Sequence, residues 1–395
     1  MKAFLALLLA TTALADEPTL TSLSEANRYA LTLDHNSISG PGAEFLLRSS
    51  AGAQFVAIGE EHNVAEVAQF TAALFRLLHA REGFNYFADE QDPWMCHTVS
   101  RAPLRGNFDG IAALHRKYPN AFTFQGDQEM MMLADIGRLS TARSDPIWGL
   151  DQVFGALHIL ESLDPPNAAA REQTQKLIEI VRPFEEKRFV EGQRYMLEVG
   201  SLDDLVALKK LYGSHDGFLL DQLILSMRVY NNWRLAAKEK KPTGYESNRE
   251  REENMKALFV RKYHEAERID GQQPKVLLKF GHWHLFRGMS PGSVFTLGNF
   301  ASELATSNGK QSFSIAVFLD DGPGSQRDTS KFAPWAKPWI DAATGPWTVI
   351  DLRPMRGYAH AGQLGTLDPN LRRFIFGFDA VLVGHGAHAA TISSN

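Results

Sequence analysis

The chain has 395 residues, 44% of them hydrophobic and 22% charged, with a formal net charge of −5 and no long basic block. This is a globular composition, long enough for one large α/β domain or two smaller ones, and it argues against nucleic acid as a partner. Cys96 is the only cysteine, which excludes an intramolecular disulfide and a structural zinc site built on several thiolates.

The first fifteen residues read as a secretory leader. Lys2 supplies the positive start, residues 4–10 are apolar, and Ala13-Leu14-Ala15 is a small-residue cleavage pattern, with cleavage expected after Ala15. The leader is too short to span a bilayer, and no later run reaches transmembrane length. A periplasmic or secreted protein without an integral membrane segment is therefore expected. The remainder divides into an α/β core over residues 16–165 and 270–395 and a helical insert over 166–269.

Short apolar runs closed by glycine or acid mark the expected strands. Residues 54–58 (QFVAI) end in GEEHN, 85–88 (NYFA) in DEQD and 121–124 (AFTF) in QGDQE. Ile147-Trp148 leads into GLDQ, and 276–280 (VLLKF) ends in GHWH. Later strands are expected at 313–319, 348–352 and 380–383. Between the early runs, Val67, Phe70, Leu74, Leu77 and Leu78 recur at helical spacing and stop near Gly83, and 108–115 is a weaker helix pattern. This alternation predicts an α/β fold, a mostly parallel sheet with helices on both faces.

From residue 168 to 267 the periodicity is helical almost throughout. Leu202, Leu205, Val206, Leu208 and Leu211 make one face, and Leu219, Leu220, Leu223, Met227, Tyr230 and Trp233 another. Pro242 and Gly244 interrupt, and Ser247 with Glu250 forms a capping-box pattern that would start the next helix.

In parallel sheets, ligands bind beyond the carboxyl ends of the strands. The polar endings gather there: Glu60, Glu61 and His62; Asp89 and Glu90; Asp127 and Glu129; Asp151; His282 and His284. His62 is expected near a helix N-terminus, which would lower its pKa and keep it able to accept a proton. Glu90 is placed to orient His62, or to share a proton or metal with it. Arg251 and Glu252 fall on inward faces of the last middle helix and need partners there. His282 and His284, two residues apart, could enter one pocket from a strand end. Plainer readings stand beside these: turn acids, a capping histidine, surface ion pairs in NREREEN, structural histidines. GMSPG fits the G-x-S-x-G pattern, but Pro291 follows Ser290 and has no N–H to offer an oxyanion. His385 and His388, in GHGAH, form a second pair near the C-terminus.

GEEH after a first strand, an acid after the second, R-E-x-x-M on a long helix and GHxH after a late strand together resemble the erythromycin esterase/ChaN-like superfamily over about residues 55–288. The resemblance implies an esterase-type site at Glu60, His62, Glu90, Arg251, His282 and His284 that activates water on an ester, lactone or related bond, with a small-molecule substrate. Glu61, Asp151 and Glu252 stand as secondary candidates. Two spacings differ from the esterase pattern: Gly59-Glu60-Glu61-His62 is one residue shorter than G-E-x-x-H, and Trp283 alone separates the late histidines. The first is closer to ChaN-type relatives, which bind haem, and Tiki-type relatives, which are metal-dependent proteases. That leaves a divalent metal on His62, Glu90 and His282, or haem, as the second expectation. A non-catalytic, partner-binding protein on the same frame is the third.

Overall fold

Apolar runs rich in Val, Ile and Phe become buried strands, and the helical periodicities between them become the layers that cover the sheet. The computed structural model describes residues 18–187 and 194–392. The leader expected at residues 1–15 lies outside the described residues.

Nine strands form one sheet: β1 (Arg28–Asp34), β2 (Ser37–Ser39), β3 (Ala53–Glu60), β4 (Tyr86–Asp89), β5 (Ile147–Gly149), β6 (Val276–Gly281), β7 (Gln311–Leu319), β8 (Trp347–Asp351) and β9 (Ala380–Gly384). Their spatial order is β2-β1-β8-β9-β7-β3-β6-β4-β5. The block β9-β7-β3-β6-β4-β5 is parallel, whereas β8 runs antiparallel to β9 and β1. The mostly parallel α/β sheet expected from the sequence is thus present, with an antiparallel margin that the sequence reading left out.

Both faces are covered. Val56 and Ile58 of β3 enter one core with Phe70, Leu74 and Leu78 of the helix Ala65–Glu82. Phe55 and Ala57 enter the other with Met255, Leu258 and Phe259 of the long helix Gly244–Asp270. A strand buried on both sides reads as a continuous apolar run, as β3 does. Cys96 is buried in the first core. Between residues 166 and 269 the described elements are the helices Ala168–Glu185, Tyr195–Val199, Leu202–Tyr212, Gly217–Glu239 and Gly244–Asp270. Leu177, Leu205, Leu223 and Met227 join the first core, and the long helix joins the second. Among the described residues, no helix is long and apolar enough to cross a membrane.

Two local expectations are corrected. Residues 121–124 do not form a strand: a 3-10 turn covers Pro119–Ala121, and β5 pairs directly with β4. Pro119 has no N–H to give a ladder, and the Gln91 side chain takes the Thr123 amide at 2.8 Å. Ser247 does not cap a helix. The long helix already starts at Gly244, and the Ser247 hydroxyl, buried a turn inside, donates to the Val229 carbonyl at 3.0 Å.

Candidate active site

The register sets the first group of charges. Glu60 lies opposite Gly281, Ile58 opposite Lys279, and Lys279 opposite Asp89. Lys279, Glu60 and Asp89 therefore project from one face, the face of Ile58, Leu277 and Phe87, with Glu60 two residues beyond the level of the other two. The helix Asp127–Leu139 covers that face and adds Glu129. The Lys279 ammonium is fully buried, 2.9 Å from Glu60, 3.1 Å from Glu129 and 3.6 Å from Asp89, and 4.7 Å over the Phe124 ring. Burial opposes its charge, but the three acids outweigh burial and raise its pKa well above the usual lysine range. Three acids share one ammonium, so burial and mutual repulsion push Asp89 and Glu129 upward. Glu60 goes the other way: against burial, Lys279 and His62 hold it low and ionised.

The sequence pattern alone does not mark Lys279 as functional. Its signal was present but weak, a single lysine inside the apolar run VLLKF, one residue short of the glycine exit. A lysine there is compatible with a side chain that reaches water. Only the helix Asp127–Leu139 laid over it reveals that it cannot.

His62 stands above this group. After Glu60 the chain turns through Asn63, which adopts a left-handed φ of 61°, before the helix Ala65–Glu82 begins. The His62 Nδ1 lies 3.0 Å from Glu60 Oε1, and Nε2 lies 3.7 Å from Glu90 Oε2. Its ring stacks on Phe124 at 4.7 Å, and its side chain is 38% exposed, so a ligand can reach it. The pKa runs against the expectation of a lowered value. Burial favours the neutral ring, but the charges of Glu90 and Glu60 outweigh it and raise His62 above its ordinary 6.5. Two nearby carboxylates override the helix terminus. Gly281 keeps the gap between His62 and Glu90 open: a Cβ there would sit 2.8 Å from His62 Nε2 and 3.5 Å from Glu90 Oε2. Its amide donates to Glu90 Oε2 at 2.7 Å.

Glu90 joins His62 to a second group of charges. Arg251 donates to Glu90 Oε1 at 2.6 Å and forms a two-pronged pair with Asp151 at 2.8 and 2.7 Å. His284 Nε2 is 3.4 Å from Glu90 Oε1, and its Nδ1 is 2.6 Å from Glu252 Oε1. Glu252 also accepts the Leu297 amide at 2.9 Å. Burial alone would keep His284 neutral, yet Glu90 and Glu252 raise it to about 10. Glu90 is held well below the carboxylate range, because His284, His62 and Arg251 outweigh its burial. The two inward charges of the long helix have thus found partners.

His282 is separated from His284. Both lie on the short helix His282–Leu285 rather than on a strand, so the two-residue spacing turns them in different directions. His282 Nε2 lies 2.8 Å from the Val317 carbonyl, and its ring packs among Phe318, Phe374 and Phe378. Burial lowers its pKa to about 4. Glu61 also turns away. It accepts the Leu319 amide at 3.3 Å, and burial pushes it up to about 7, so Glu60 is the glutamate that meets His62. The Asp127 amide bonds to Thr391. His388 pairs with Glu66 at 2.6 Å, and His385 bonds the Asp320 carbonyl. Ser290 is buried and its hydroxyl accepts the Gly292 amide.

The residues do not fit a resident metal. His282 of the expected trio is bonded to a carbonyl, and Glu90 is already paired with Arg251. Among the described residues, no three His, Cys, Asp or Glu side chains are grouped to hold one. Haem would need a ring nitrogen facing an apolar slot, and His62 Nε2 faces the Glu90 carboxylate. What the cluster can do is accept a proton at His62 beside two fixed cations.

Solved structures share this fold. An erythromycin esterase, EreC, as a histidine-to-asparagine mutant in its open conformation, has a TM-score of 0.54 at 16% identity, over 89% of this chain and 95% of its own. A Bacillus cereus protein has a TM-score of 0.54 at 14% identity, over 95% and 98%. A succinoglycan biosynthesis protein reaches 0.56 at 13% identity, over 94% and 98%. No family model matches the chain, and no curated protein matches it by sequence. At these identities the likeness is one of fold, and the chain has the erythromycin esterase-like α/β fold.

Proposed function

We propose that this chain, with its erythromycin esterase-like fold, is an exported hydrolase that activates water with the Glu60–His62 pair to cleave an ester, lactone or related acyl bond. One observation carries the reading. His62 Nδ1 is held by Glu60 at 3.0 Å, while Nε2 faces a gap of 3.7 Å to Glu90, beside Arg251 and His284. The leader pattern ending at Ala15 supports export.

With its Nδ1–H donated to Glu60, His62 keeps the Nε2 lone pair for a proton. Water at that nitrogen attacks the carbonyl carbon and gives its proton to His62. The carbonyl oxygen gains negative charge beside Arg251 and His284, cations held in place before the reaction starts. When the tetrahedral centre collapses, the leaving alkoxide takes the proton back from His62. The products are a carboxylic acid and an alcohol, or the opened hydroxy acid from a lactone. No side chain forms a covalent intermediate. Glu90 keeps Arg251 and His284 together at one edge of the gap, and Lys279 keeps Glu60 ionised beneath it.

A panel of aryl esters, aliphatic lactones and peptides, assayed with the wild type and His62→Ala, tests the reading. Hydrolysis of an ester or lactone should fall by about 100- to 10,000-fold in the variant, the usual contribution of a general base. Turnover unchanged in His62→Ala, or cleavage of peptides alone, would sink it.

A further inference from the structure

The sheet ends at β5, and the two hydrophobic cores part around its outer edge. A cavity of about 380 Å³ lies there, a volume suited to a small molecule. Trp94 comes from the helix Pro93–Val99, Phe218 and Leu219 from the start of the helix Gly217–Glu239, and Leu258 from the long helix. Leu258 is seven residues beyond Arg251, about 10 Å along the helix axis, so the cavity stands apart from the His62 cluster.

The rim is charged, and its charges are unequally engaged. Lys262 is held by Asp145 at 2.9 Å and Glu265 at 3.1 Å, and His97 and Arg101 also pair with Asp145. Arg261 differs. Its guanidinium lies 4.0 Å over the Phe218 ring, and among the described residues it forms no hydrogen bond or ion pair. Of the Lys, Arg, Asp and Glu residues that line the cavity, Arg261 and Lys262 stand against Glu265, one positive charge in excess. A planar fork of donors, fixed on an aromatic at the mouth of an apolar hollow, matches a carboxylate on an apolar body.

We propose that this cavity is a second small-molecule site, for an amphipathic monoanion whose apolar body lies against Trp94, Phe218, Leu219 and Leu258 and whose carboxylate pairs with Arg261. The site is independent of the hydrolytic reading.

Calorimetric titration with octanoate, and with octanol as its neutral counterpart, tests this. Octanoate should bind one per chain and more tightly than octanol. Arg261→Ala should weaken octanoate by about ten-fold, the size of one charge-assisted hydrogen bond, and leave octanol unchanged. Arg249→Ala, the same charge loss elsewhere on the helix, should have no effect. Leu219→Trp fills the hollow from a half-exposed position and should abolish binding of both, with circular dichroism confirming the fold. His62→Ala should bind as the wild type does. Equal binding of octanol and octanoate in the wild type, no loss in Arg261→Ala or Leu219→Trp, or loss in His62→Ala would overturn the proposal.

Discussion

Two groups of charged side chains meet at the carboxyl ends of β3, β4 and β6, and they differ in access more than in composition. The lower group sets Lys279 against Glu60, Asp89 and Glu129, all of them buried under the helix Asp127–Leu139. The upper group sets Arg251, His284 and His62 against Glu90, Asp151 and Glu252, and here His62 and Arg251 remain partly exposed. A sealed ammonium cannot meet a substrate, so the lower group acts through what it holds. Glu60 belongs to both, with one oxygen, Oε1, receiving Lys279 and His62 together. Burial thus makes a foundation of one group, and exposure makes a reagent of the other.

The comparison breaks most visibly at Lys279. Lys279→Met leaves three buried acids without their cation, and removal of one partner from a buried pair costs about 3–5 kcal/mol. Urea unfolding should show that loss, with activity falling in parallel. Full stability in the variant would mean that Lys279 does not hold Glu60 ionised. Arg251→Lys is a milder break in the upper group. It keeps the charge but cannot hold Asp151 and Glu90 with one planar fork. A fall in kcat of about ten-fold or more, with the unfolding midpoint little changed, would separate a reacting group from a structural one.

Gly281→Ala sharpens the comparison at the gap itself. The new Cβ would lie 2.8 Å from His62 Nε2, so the ring must move. Displacement by about 1 Å can cost about 100-fold in rate, and kcat/KM should fall toward that figure while the fold persists. An unaffected Gly281→Ala enzyme would show that the gap holds no reacting water.

The smallest effects concern stability against pH. His284, raised from 6.5 to about 10, binds its proton more tightly in the folded state. Its contribution is complete below pH 6.5 and is lost as pH rises through about 10. His282, lowered to about 4, acts in the opposite sense and weakens the fold as pH falls from 6.5 toward 4. Melting temperatures across that range should decline at both ends, with the alkaline decline shallower in His284→Asn.

The strand ends were legible because the sheet needs apolar runs that stop abruptly, and GEEHN, DEQD and GHWH all stop abruptly at one level. The meeting of His62 and Glu90 followed from that geometry, and Arg251 from its place on an inward helix face. The rest depended on three-dimensional partners. AFTF has strand composition, but Gln91 and Pro119 divert its backbone. The pair at His282 and His284 reads as a strand period until the chain coils into a helix after Gly281. β1, with the sequence RYALTLD, alternates too weakly to separate from a loop without β8 beside it. The raised pKa of His62 needed both glutamates in place, which no local pattern supplies.

The central claim is that His62, held by Glu60, takes the proton from water. The pH dependence of kcat/KM in the wild type and in Glu60→Gln tests it most directly. The wild-type rate should rise with pH as His62 deprotonates, with a midpoint above 6.5 because its pKa is raised. Glu60→Gln should lower the rate and move the midpoint to lower pH. A flat wild-type profile, or a midpoint that Glu60→Gln leaves in place, would contradict the account.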